Sequence, residues 1–536
     1  MAIEIPDAIL VDTPHSKTDN ESILVLVIGG IVVKNALEAY LARGGKLETG
    51  MVSYVASLEE VAKVSPLVAG RIVQELADQR THLKLIASEN FSSLPVQCAM
   101  GNLLTDKYSE GFPYHRFYAG CDNVDAIEAF ADEEACKLFG AEHAYVQPHS
   151  GADANLCAYW AILNTRIQVP ALEEFADPNP AHLSREDWNS VRAKLGNQRI
   201  LGLDYYSGGH LTHGYRQNVS AQMFDAYSYT VDEKTKLLDY DAIEKQAMEV
   251  KPLILIAGYS AYPRKVDFKR MSEIAHKVGA TFMVDMAHFA GLVAGGVFTD
   301  EYNPVLWADV VTTTTHKTLR GPRGGMILCK KEYADSVDKG CPLVIGGPLP
   351  QMMAAKAIAL GEALRPEFKT YAQKIVENAK ALGTELMAQG IPLDTNGTDN
   401  HLMLLDVRSF GLNGRQAEGA LRSCGVTLNR NALPFDPNGP WYTSGLRIGT
   451  PAVTTLGMGL PEMKEIADII SLVLHHARPA VLSKGEHAGQ QSKSTAHIDE
   501  DVKKEANERV LKLLGRFPLY PELDLPFLQD YFPLDN

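Results

Sequence analysis

The chain has 536 residues, 46% of them hydrophobic and 22% charged, with a formal net charge of −15 at pH 7. This composition excludes a mainly disordered, collagen-like or coiled-coil chain, and the acidic balance argues against a nucleic-acid partner, which needs a basic face. The seven cysteines are scattered and include no Cys-x-x-Cys pair, so we expect reduced thiols in a cytoplasmic protein and no zinc site.

The longest apolar run near the N-terminus is too short to cross a membrane. Residues 23–33 form this run, whereas a membrane helix needs about 20 residues. The N-terminus also lacks the basic start of a signal peptide. We expect a buried strand or helix here and no membrane segment.

A candidate anion site lies at the start of a predicted helix. Ser150 and Gly151 precede Leu156, Tyr159 and Ile162, which recur at helical spacing. A hydroxyl and small residues at a helix N-terminus can bind a phosphate group, because the backbone N–H groups there lack partners. A capped helix without a ligand explains the same pattern equally well.

The middle of the chain alternates apolar strands with helical patterns. Strands are predicted at 252–257, 281–285, 309–313 and 325–328, with a helix over 268–278. Such units are typical of an α/β domain with a mostly parallel sheet, which binds ligands at the carboxyl ends of its strands. The polar segment 165–200 looks like an addition to this core, with a short helix predicted from Ser184.

Two chemically distinctive residues lie at or just after the ends of predicted strands. Asp285 could pair with the protonated ring nitrogen of pyridoxal phosphate, or it could simply cap the next helix. Lys317, which follows a threonine-rich strand, is a candidate Schiff-base nucleophile, although most lysines in such positions are ordinary surface residues. Together with the anion site at Ser150, these residues form the set expected of a pyridoxal-phosphate enzyme of the aspartate-aminotransferase fold type.

Nine motifs are distributed between residues of about 80 and 480. They are LIASENF (85–91), KYSEG (107–111), RFY (116–118), QPHSG (147–151), GGHLTHG (208–214), VDMAH (284–288), TTTTHK (312–317), GTDNH (397–401) and SGLRIGTP (444–451). In these motifs the sequence resembles the serine hydroxymethyltransferase (glycine hydroxymethyltransferase) family. Residues 1–60, 165–200 and 482–500 exceed the usual family length and resemble long-form bacterial members.

The resemblance implies a fold and a division into domains. The fold is α/β, that of a pyridoxal-phosphate-dependent transferase of fold type I, with a seven-stranded parallel or mixed sheet and a smaller α/β C-terminal domain. Residues 1–79 would be an N-terminal extension and arm, 80–345 the large cofactor-binding domain with the 165–200 insert, and 346–536 the small domain. Residues 482–500 would form a mobile loop.

The resemblance further implies which residues hold pyridoxal 5'-phosphate. Lys317 would bind it covalently, Asp285 would pair with its ring nitrogen, and His210 would stack on its ring. Ser260 and His288 would contact its phenolic oxygen or the substrate. The phosphate would be held by Ser150, Gly151 and His316 and, from the other subunit, by Gly346 and Gly347.

Substrate and folate residues follow from the same resemblance. Arg447 would grip the amino-acid carboxylate through two hydrogen bonds, with Ser88 assisting. Glu110 would be the acid–base residue, contributed with Tyr118 by the neighbouring subunit. The implied catalytic set is Lys317, Glu110, Tyr118 and His288, Tyr108 would contact the substrate, and Phe117, Gly209, Leu211 and Asn431 would line the folate pocket.

The implied activity interconverts serine plus tetrahydrofolate with glycine plus methylenetetrahydrofolate, in a cytoplasmic homodimer with shared active sites and no metal. Phe117 and Tyr205 depart from the family pattern, where Tyr and Leu are usual. A folate-independent aldolase or alanine racemase on the same fold therefore stays an alternative, as does a non-catalytic cofactor-binding protein.

Overall fold

The computed structural model describes residues 9–11, 25–28, 31–33, 35–484 and 488–534. Contacts divide the chain into two compact units, one comprising residues 1–83 and 511–536 and the other residues 84–510. This partition differs from the predicted one, because the end of the predicted C-terminal domain belongs to the first unit. The predicted boundary after residue 345 falls inside the second unit, and the division there into a large and a small domain stays a prediction.

The strands of the described residues are short and are numbered here in chain order. They are β1 (Ile9–Val11), β2 (Val25–Ile28), β3 (Ile31–Val33), β4 (Leu83–Lys84), β5 (Gly111–Phe112), β6 (His115–Arg116), β7 (His143–Tyr145), β8 (Arg199–Leu203), β9 (Asp225–Tyr229), β10 (Ile254–Gly258), β11 (Thr281–Asp285), β12 (Val310–Thr314), β13 (Gly325–Cys329), β14 (Leu402–Asp406), β15 (Val426–Thr427), β16 (Asn429–Asn431), β17 (Gly445–Gly449), β18 (Arg478–Val481) and β19 (Gln491–His497).

The α-helices are numbered in the same way. They are α1 (Ala36–Ala42), α2 (Thr49–Val64), α3 (Pro66–Thr81), α4 (Leu94–Met100), α5 (Asp122–Phe139), α6 (Gly151–Leu163), α7 (Val169–Leu172), α8 (Arg185–Gly196), α9 (Ser220–Met223), α10 (Tyr240–Val250), α11 (Phe268–Lys277), α12 (Ala290–Ala294), α13 (Lys331–Asp338), α14 (Gly340–Leu343), α15 (Pro350–Ala363), α16 (Pro366–Ala388), α17 (Gly414–Ser423), α18 (Pro451–Thr455), α19 (Leu460–His476), α20 (Glu500–Leu514) and α21 (Leu525–Tyr531).

The described part of the first unit contains a small antiparallel sheet, the helices α1, α2, α3 and α21, and the end of α20. The sheet has the order β1-β2-β3, so residues 25–28 and 31–33 of the apolar run form strands, while the burial of their side chains lies outside the described residues. Ser65 accepts a hydrogen bond from the backbone N–H of Val68 and caps α3, with Pro66 in the first turn, where the missing N–H costs nothing. The guanidinium of Arg80 donates to the carbonyl oxygens of Leu519 and Tyr520, which ties α3 to the C-terminal segment.

A seven-stranded sheet forms the centre of the second unit and confirms the predicted fold class. Its strand order is β7-β13-β12-β11-β10-β8-β9, and β13 alone in this sheet runs antiparallel to its neighbours. The predicted strands correspond to β10 to β13, and the predicted helix to α11. β10 and β11 are buried throughout, as expected for strands covered by helices on both faces.

The register of the parallel strands places the functional residues at one edge. Asp285 lies beside Thr312 on one side and Gly258 on the other. Gly258 has φ of +108°, and a Cβ there would lie 2.0 Å from the carbonyl oxygen of Asp285. A residue other than glycine would therefore displace the end of β11.

The 165–200 insert carries its predicted helix. Ser184 caps α8 by accepting a hydrogen bond from the backbone N–H of Asp187, at 3.1 Å. Val191 on this helix packs with Ala171, Leu172 and neighbouring apolar side chains. The insert therefore has a small core of its own.

The prediction of a mobile loop at 482–500 is wrong for its second half. Residues 491–497 form β19, which pairs antiparallel with β18, while 485–487 lie outside the described residues. Gln416 and Asn413, at the start of α17, donate side-chain hydrogen bonds to the carbonyl oxygens of Ser492 and Lys493. The polar composition is typical of a linker, but these tertiary hydrogen bonds hold it as a strand.

A second, antiparallel sheet has the order β14-β17-β16. Its central strand carries Arg447, which lies opposite Asn429 of β16 and Leu404 of β14. None of the described helices combines the length and apolar character needed to span a membrane.

Candidate active site

Two adjoining cavities share four wall residues: Ser88, His210, Ser260 and Lys317. The sheet-edge cavity, of about 350 Å³, is also lined by Glu89, Ser150, Gly151, Ala152, Asp285, Ala287, Thr314, His316 and Arg323. The arginine cavity, of about 370 Å³, is also lined by Tyr205, Gly209, Leu211, Ala261, His288, Asn429, Arg430, Asn431, Ala432, Pro440, Thr443 and Arg447.

The carboxylate of Asp285 is buried but well supported by hydrogen bonds. Asn155 donates to Oδ2 at 2.9 Å, and Nε2 of His213 lies 3.2 Å from the same oxygen. Burial raises the pKa of Asp285, but the hydrogen bond and charge of His213 and the charges of His210 and Lys317 outweigh it and hold this pKa below its ordinary value. The group is therefore an anion at the sheet edge.

The two side chains that contact Asp285, those of His213 and Asn155, are themselves oriented by hydrogen bonds. The backbone N–H of His210 donates to Nδ1 of His213 at 3.3 Å, so the proton of a neutral His213 ring is on Nε2, facing the carboxylate. The side-chain oxygen of Asn155 accepts a hydrogen bond from Thr312 on β12. This orients the amide so that its nitrogen can donate only toward Asp285 and Thr212.

The side chain of Lys317 lies between the two cavities. Burial lowers its pKa to about 8, with Asp285 opposing this effect and the charges of Arg447 and Arg323 adding to it. A lysine with this pKa carries a substantial fraction of free amine near neutral pH, which is the form that attacks a carbonyl group. Its carbonyl oxygen accepts a hydrogen bond from Asn90 at 2.8 Å, which fixes the backbone after β12.

The start of α6 faces the sheet-edge cavity and offers a site for an anion. Ser150 caps the helix by accepting from the backbone N–H of Asp153 at 3.2 Å, and the N-terminus of a helix attracts negative charge. Arg323 lines the same cavity. The side-chain amine of the fully buried Lys356 donates to the carbonyl oxygens of Val146, Pro148 and Gly325. These hydrogen bonds connect the segment before α6 to the start of β13.

The half-buried guanidinium of Arg447 has no carboxylate partner among the described residues. It donates to the carbonyl oxygen of Ser260 at 2.7 Å and to Oδ1 of Asn429 at 3.2 Å. Burial lowers its pKa to about 10, so the side chain is still charged at neutral pH. A buried cation without a counter-ion is destabilising, so a carboxylate entering this cavity would bind favourably.

A second group of predicted residues lies elsewhere. The described residues that line the two cavities include neither Glu110 nor Tyr118. The hydroxyl of Tyr118 lies 3.4 Å from Oε2 of Glu110, and its ring contacts that of Tyr108 edge to face. A Cβ on Gly347 would lie 3.4 Å from the ring of Tyr108. Phe117 is 72% exposed, and the rings of Tyr108 and Tyr118 are also exposed among the described residues.

The family follows from comparison with known proteins. The sequence model of the family described as "Serine hydroxymethyltransferase" matches residues 61–193 and 191–470. The chain belongs to this family. Its members are pyridoxal-phosphate enzymes of fold type I that use tetrahydrofolate as a co-substrate. The two matched segments meet at residues 191–193, within the 165–200 insert.

Three relatives named serine hydroxymethyltransferase show how far the likeness extends. The protein of Treponema pallidum (strain Nichols) is 62% identical over 500 residues, covering 93% of this chain and 86% of the relative. The protein of Cutibacterium acnes is 56% identical, and the match covers 88% of this chain and 96% of the relative. The protein of Mycolicibacterium smegmatis is 54% identical, and the match covers 89% of this chain and 96% of the relative.

The sheet-edge cavity fits the cofactor that serine hydroxymethyltransferases use. The start of α6 and Arg323 suit a phosphate group, Asp285 suits a protonated ring nitrogen, and Lys317 suits a covalent link to an aldehyde. His210 also lines the cavity, and burial lowers its pKa to about 4, so its ring is neutral and suited to stacking. The residues present thus match the three chemical features of pyridoxal phosphate.

Sequence reasoning missed several supporting residues of this serine hydroxymethyltransferase site. His213, inside the GGHLTHG motif, has no role assigned from the sequence, yet its Nε2 lies 3.2 Å from Oδ2 of Asp285. Arg116, within the RFY motif, donates to the carbonyl oxygens of Ser109 and Gly111, on either side of Glu110. The motifs contained these residues, but their partners are distant in sequence, so only the folded chain reveals the contacts.

Proposed function

We propose that the chain interconverts serine plus tetrahydrofolate with glycine plus methylenetetrahydrofolate, as a cytoplasmic homodimer. The single observation that carries this proposal is the half-buried guanidinium of Arg447, which lacks a carboxylate partner among the described residues and lines the same cavity as Lys317. An amino acid held by its carboxylate at Arg447 would have its amino group within the space next to Lys317. The site thus suits an amino-acid substrate.

Several residues of the two cavities have distinct tasks in this reaction. Pyridoxal phosphate, when bound, would supply a ring that withdraws electrons from the substrate carbon atom that bears the amino group. Asp285, as an anion, keeps the proton on the ring nitrogen. Lys317 holds the cofactor and carries protons at its amine, while Arg447 with Ser88 orients the substrate carboxylate. The start of α6 and His316 bind the phosphate side.

The aromatic cluster around Glu110 supports a shared active site. Glu110, Tyr118, Tyr108 and Phe117 match family motifs but do not line the cavities of their own chain, and three of their rings are exposed. A second copy of the chain would cover these rings and receive Glu110 as an acid–base group at the substrate hydroxyl. Gly346 and Gly347 would approach the phosphate of that copy.

The folate pocket would lie at the mouth of the arginine cavity. Gly209, Leu211 and Asn431 line this cavity, and Phe117 would add its ring from the second subunit. Tyr205 lines the same cavity, where a smaller side chain is usual in the family. The pocket therefore accepts a ring system, with Tyr205 as one wall.

The activity test is cleavage of serine to glycine by the cofactor-loaded protein, with and without tetrahydrofolate. Strong folate dependence is the expected result. Slow turnover without folate would instead favour an aldolase or racemase, and no turnover with bound cofactor would favour a non-catalytic protein.

The shared site has a test of its own, in which two inactive variants are combined. A hybrid of a Lys317→Ala subunit with a Glu110→Gln subunit has one intact site if Glu110 serves the other subunit, and none if it serves its own. Random mixing of the two variants during co-expression should restore about a quarter of the wild-type activity. Mixed samples as inactive as the separate variants would contradict the shared site.

A further inference from the structure

A second histidine lies directly behind His288. Both residues are buried, and their rings stack with centroids 5.4 Å apart and an interplanar angle of 27°. Nδ1 of His288 lies 3.2 Å from Nε2 of His401, within hydrogen-bond distance. The backbone of His401 is fixed by the N–H of Thr450, which donates to its carbonyl oxygen at 3.0 Å. The two rings therefore have a defined relative position.

The two remaining ring nitrogens are in different surroundings. Nδ1 of His401 is buried and has no hydrogen-bond partner among the described residues. His288, in contrast, lines the arginine cavity together with Lys317. Within the described part of the chain, its ring makes a single hydrogen bond, the one to His401. Its Nε2 is therefore available to a molecule in the cavity.

Both rings are neutral at pH 7, so one ring donates the proton of the hydrogen bond between them and the other accepts it. Burial lowers the pKa of His401 to about 3, with the charges of Arg447 and Lys317 adding to the effect. Burial likewise places the pKa of His288 well below its ordinary value. Each neutral ring carries one proton, so either His288 or His401 is the donor.

The unpartnered nitrogen decides between these two arrangements. If His288 were the donor, the proton of His401 would be on Nδ1, as a buried N–H group without an acceptor. If His401 is the donor, its Nδ1 has only an unused lone pair. Buried N–H groups without acceptors are rarer and less favourable than acceptors without donors. The second arrangement is therefore favoured, and it places the proton of His288 on Nε2.

We propose that His401 is a positioning residue that donates to His288 and so makes Nε2 of His288 an N–H donor toward the cavity. His288 then holds an oxygen atom of the bound cofactor or substrate and does not act as a base. Proton removal must come from other groups, such as Lys317. The position of the proton is independent of the proposed function, whereas its effect on rate rests on that function.

The proton can be located directly in the full-length protein. Neutron diffraction from deuterated crystals, or ¹⁵N spectra of labelled imidazoles, distinguishes the two ring nitrogens, both without cofactor and with pyridoxal phosphate bound. We expect deuterium on Nε2 of His288 and on Nε2 of His401. Deuterium on Nδ1 of His288 would overturn the proposal, whatever the activity of the enzyme.

Two substitutions separate hydrogen bonding from packing. His401→Gln keeps an N–H donor at nearly the same place, whereas His401→Phe keeps the stacked ring without the donor. The Phe variant should populate both tautomers of His288 and lower kcat about tenfold, the loss of one hydrogen bond, while the Gln variant should stay within about twofold.

Equal impairment of both variants, with the His288 proton still on Nε2, would show that His401 only fills space and would refute its positioning role. If the Phe variant does not fold, the proton positions in the wild type and in the Gln variant still decide the question.

Discussion

The cavity residues and the aromatic cluster around Glu110 differ in how the fold holds them. Asp285 ends β11 and Lys317 follows the adjacent parallel strand β12, and partners in the same unit hydrogen-bond to the carboxylate of Asp285 and the backbone of Lys317. Glu110 and Tyr118 contact each other, but the rings beside them are exposed. Equally specific motifs thus lead to one group that is enclosed by its own chain and another whose rings are exposed. A motif predicts a chemical role, whereas the exposure of its side chains is known only from the folded chain.

The largest contrast between the two groups should appear when each loses its principal residue. Lys317→Ala is expected to lower kcat about 10⁴-fold, because a group that bonds covalently to the cofactor is lost. It should also remove the visible absorbance of bound pyridoxal phosphate. Glu110→Gln is expected to lower kcat about 10²- to 10³-fold, typical of an acid–base residue, and to leave that absorbance unchanged.

Spectra and rates of both variants, measured at equal cofactor occupancy, check this contrast. Persistent visible absorbance in the Lys317 variant would show that Lys317 does not bind the cofactor covalently. Loss of cofactor from the Glu110 variant would show that the aromatic cluster supports the cofactor cavity of its own chain.

Substrate binding should depend strongly on Arg447 in the arginine cavity. Arg447→Ala is expected to raise the KM for serine about 100-fold or more, because the substrate carboxylate loses a charged partner in a desolvated site. Arg430→Ala is a matched control, since Arg430 lines the same cavity but already pairs with Glu418. Similar KM values for wild type and the Arg447 variant would refute the carboxylate role.

The smallest effect concerns the pH dependence of cofactor attachment. Burial lowers the pKa of Lys317 to about 8, so its reactive free amine increases tenfold per pH unit below pH 8 and levels off above it. The rate at which apoprotein gains visible absorbance with pyridoxal phosphate should follow the same curve. Because Asp285 raises this pKa, Asp285→Asn should shift the midpoint to lower pH. An unchanged midpoint would show that the two groups do not interact.

Local patterns predicted the central sheet well because they depend on short stretches of chain. The continuous apolar segments at 254–258 and 281–285 are buried strands, and the helical spacing after Phe268 is that of α11. The same reasoning was wrong at 491–497, where a polar stretch forms a strand. Its partners are Gln416 and Asn413, about 80 residues earlier in the sequence, and no local pattern records such a partner.

The sequence by itself determined the family, the fold class and the chemical identity of the candidate residues, because motif spacing and apolar periodicity are written along the chain. Only the tertiary structure decided which of these residues meet. Parallel strand register places Asp285 next to Thr312, and burial shifts the pKa values of Lys317 and Arg447. The tertiary structure also leaves Arg447 without a carboxylate partner among the described residues and places Glu110 outside the two cavities. Contacts and desolvation of this kind arise only when distant segments pack together.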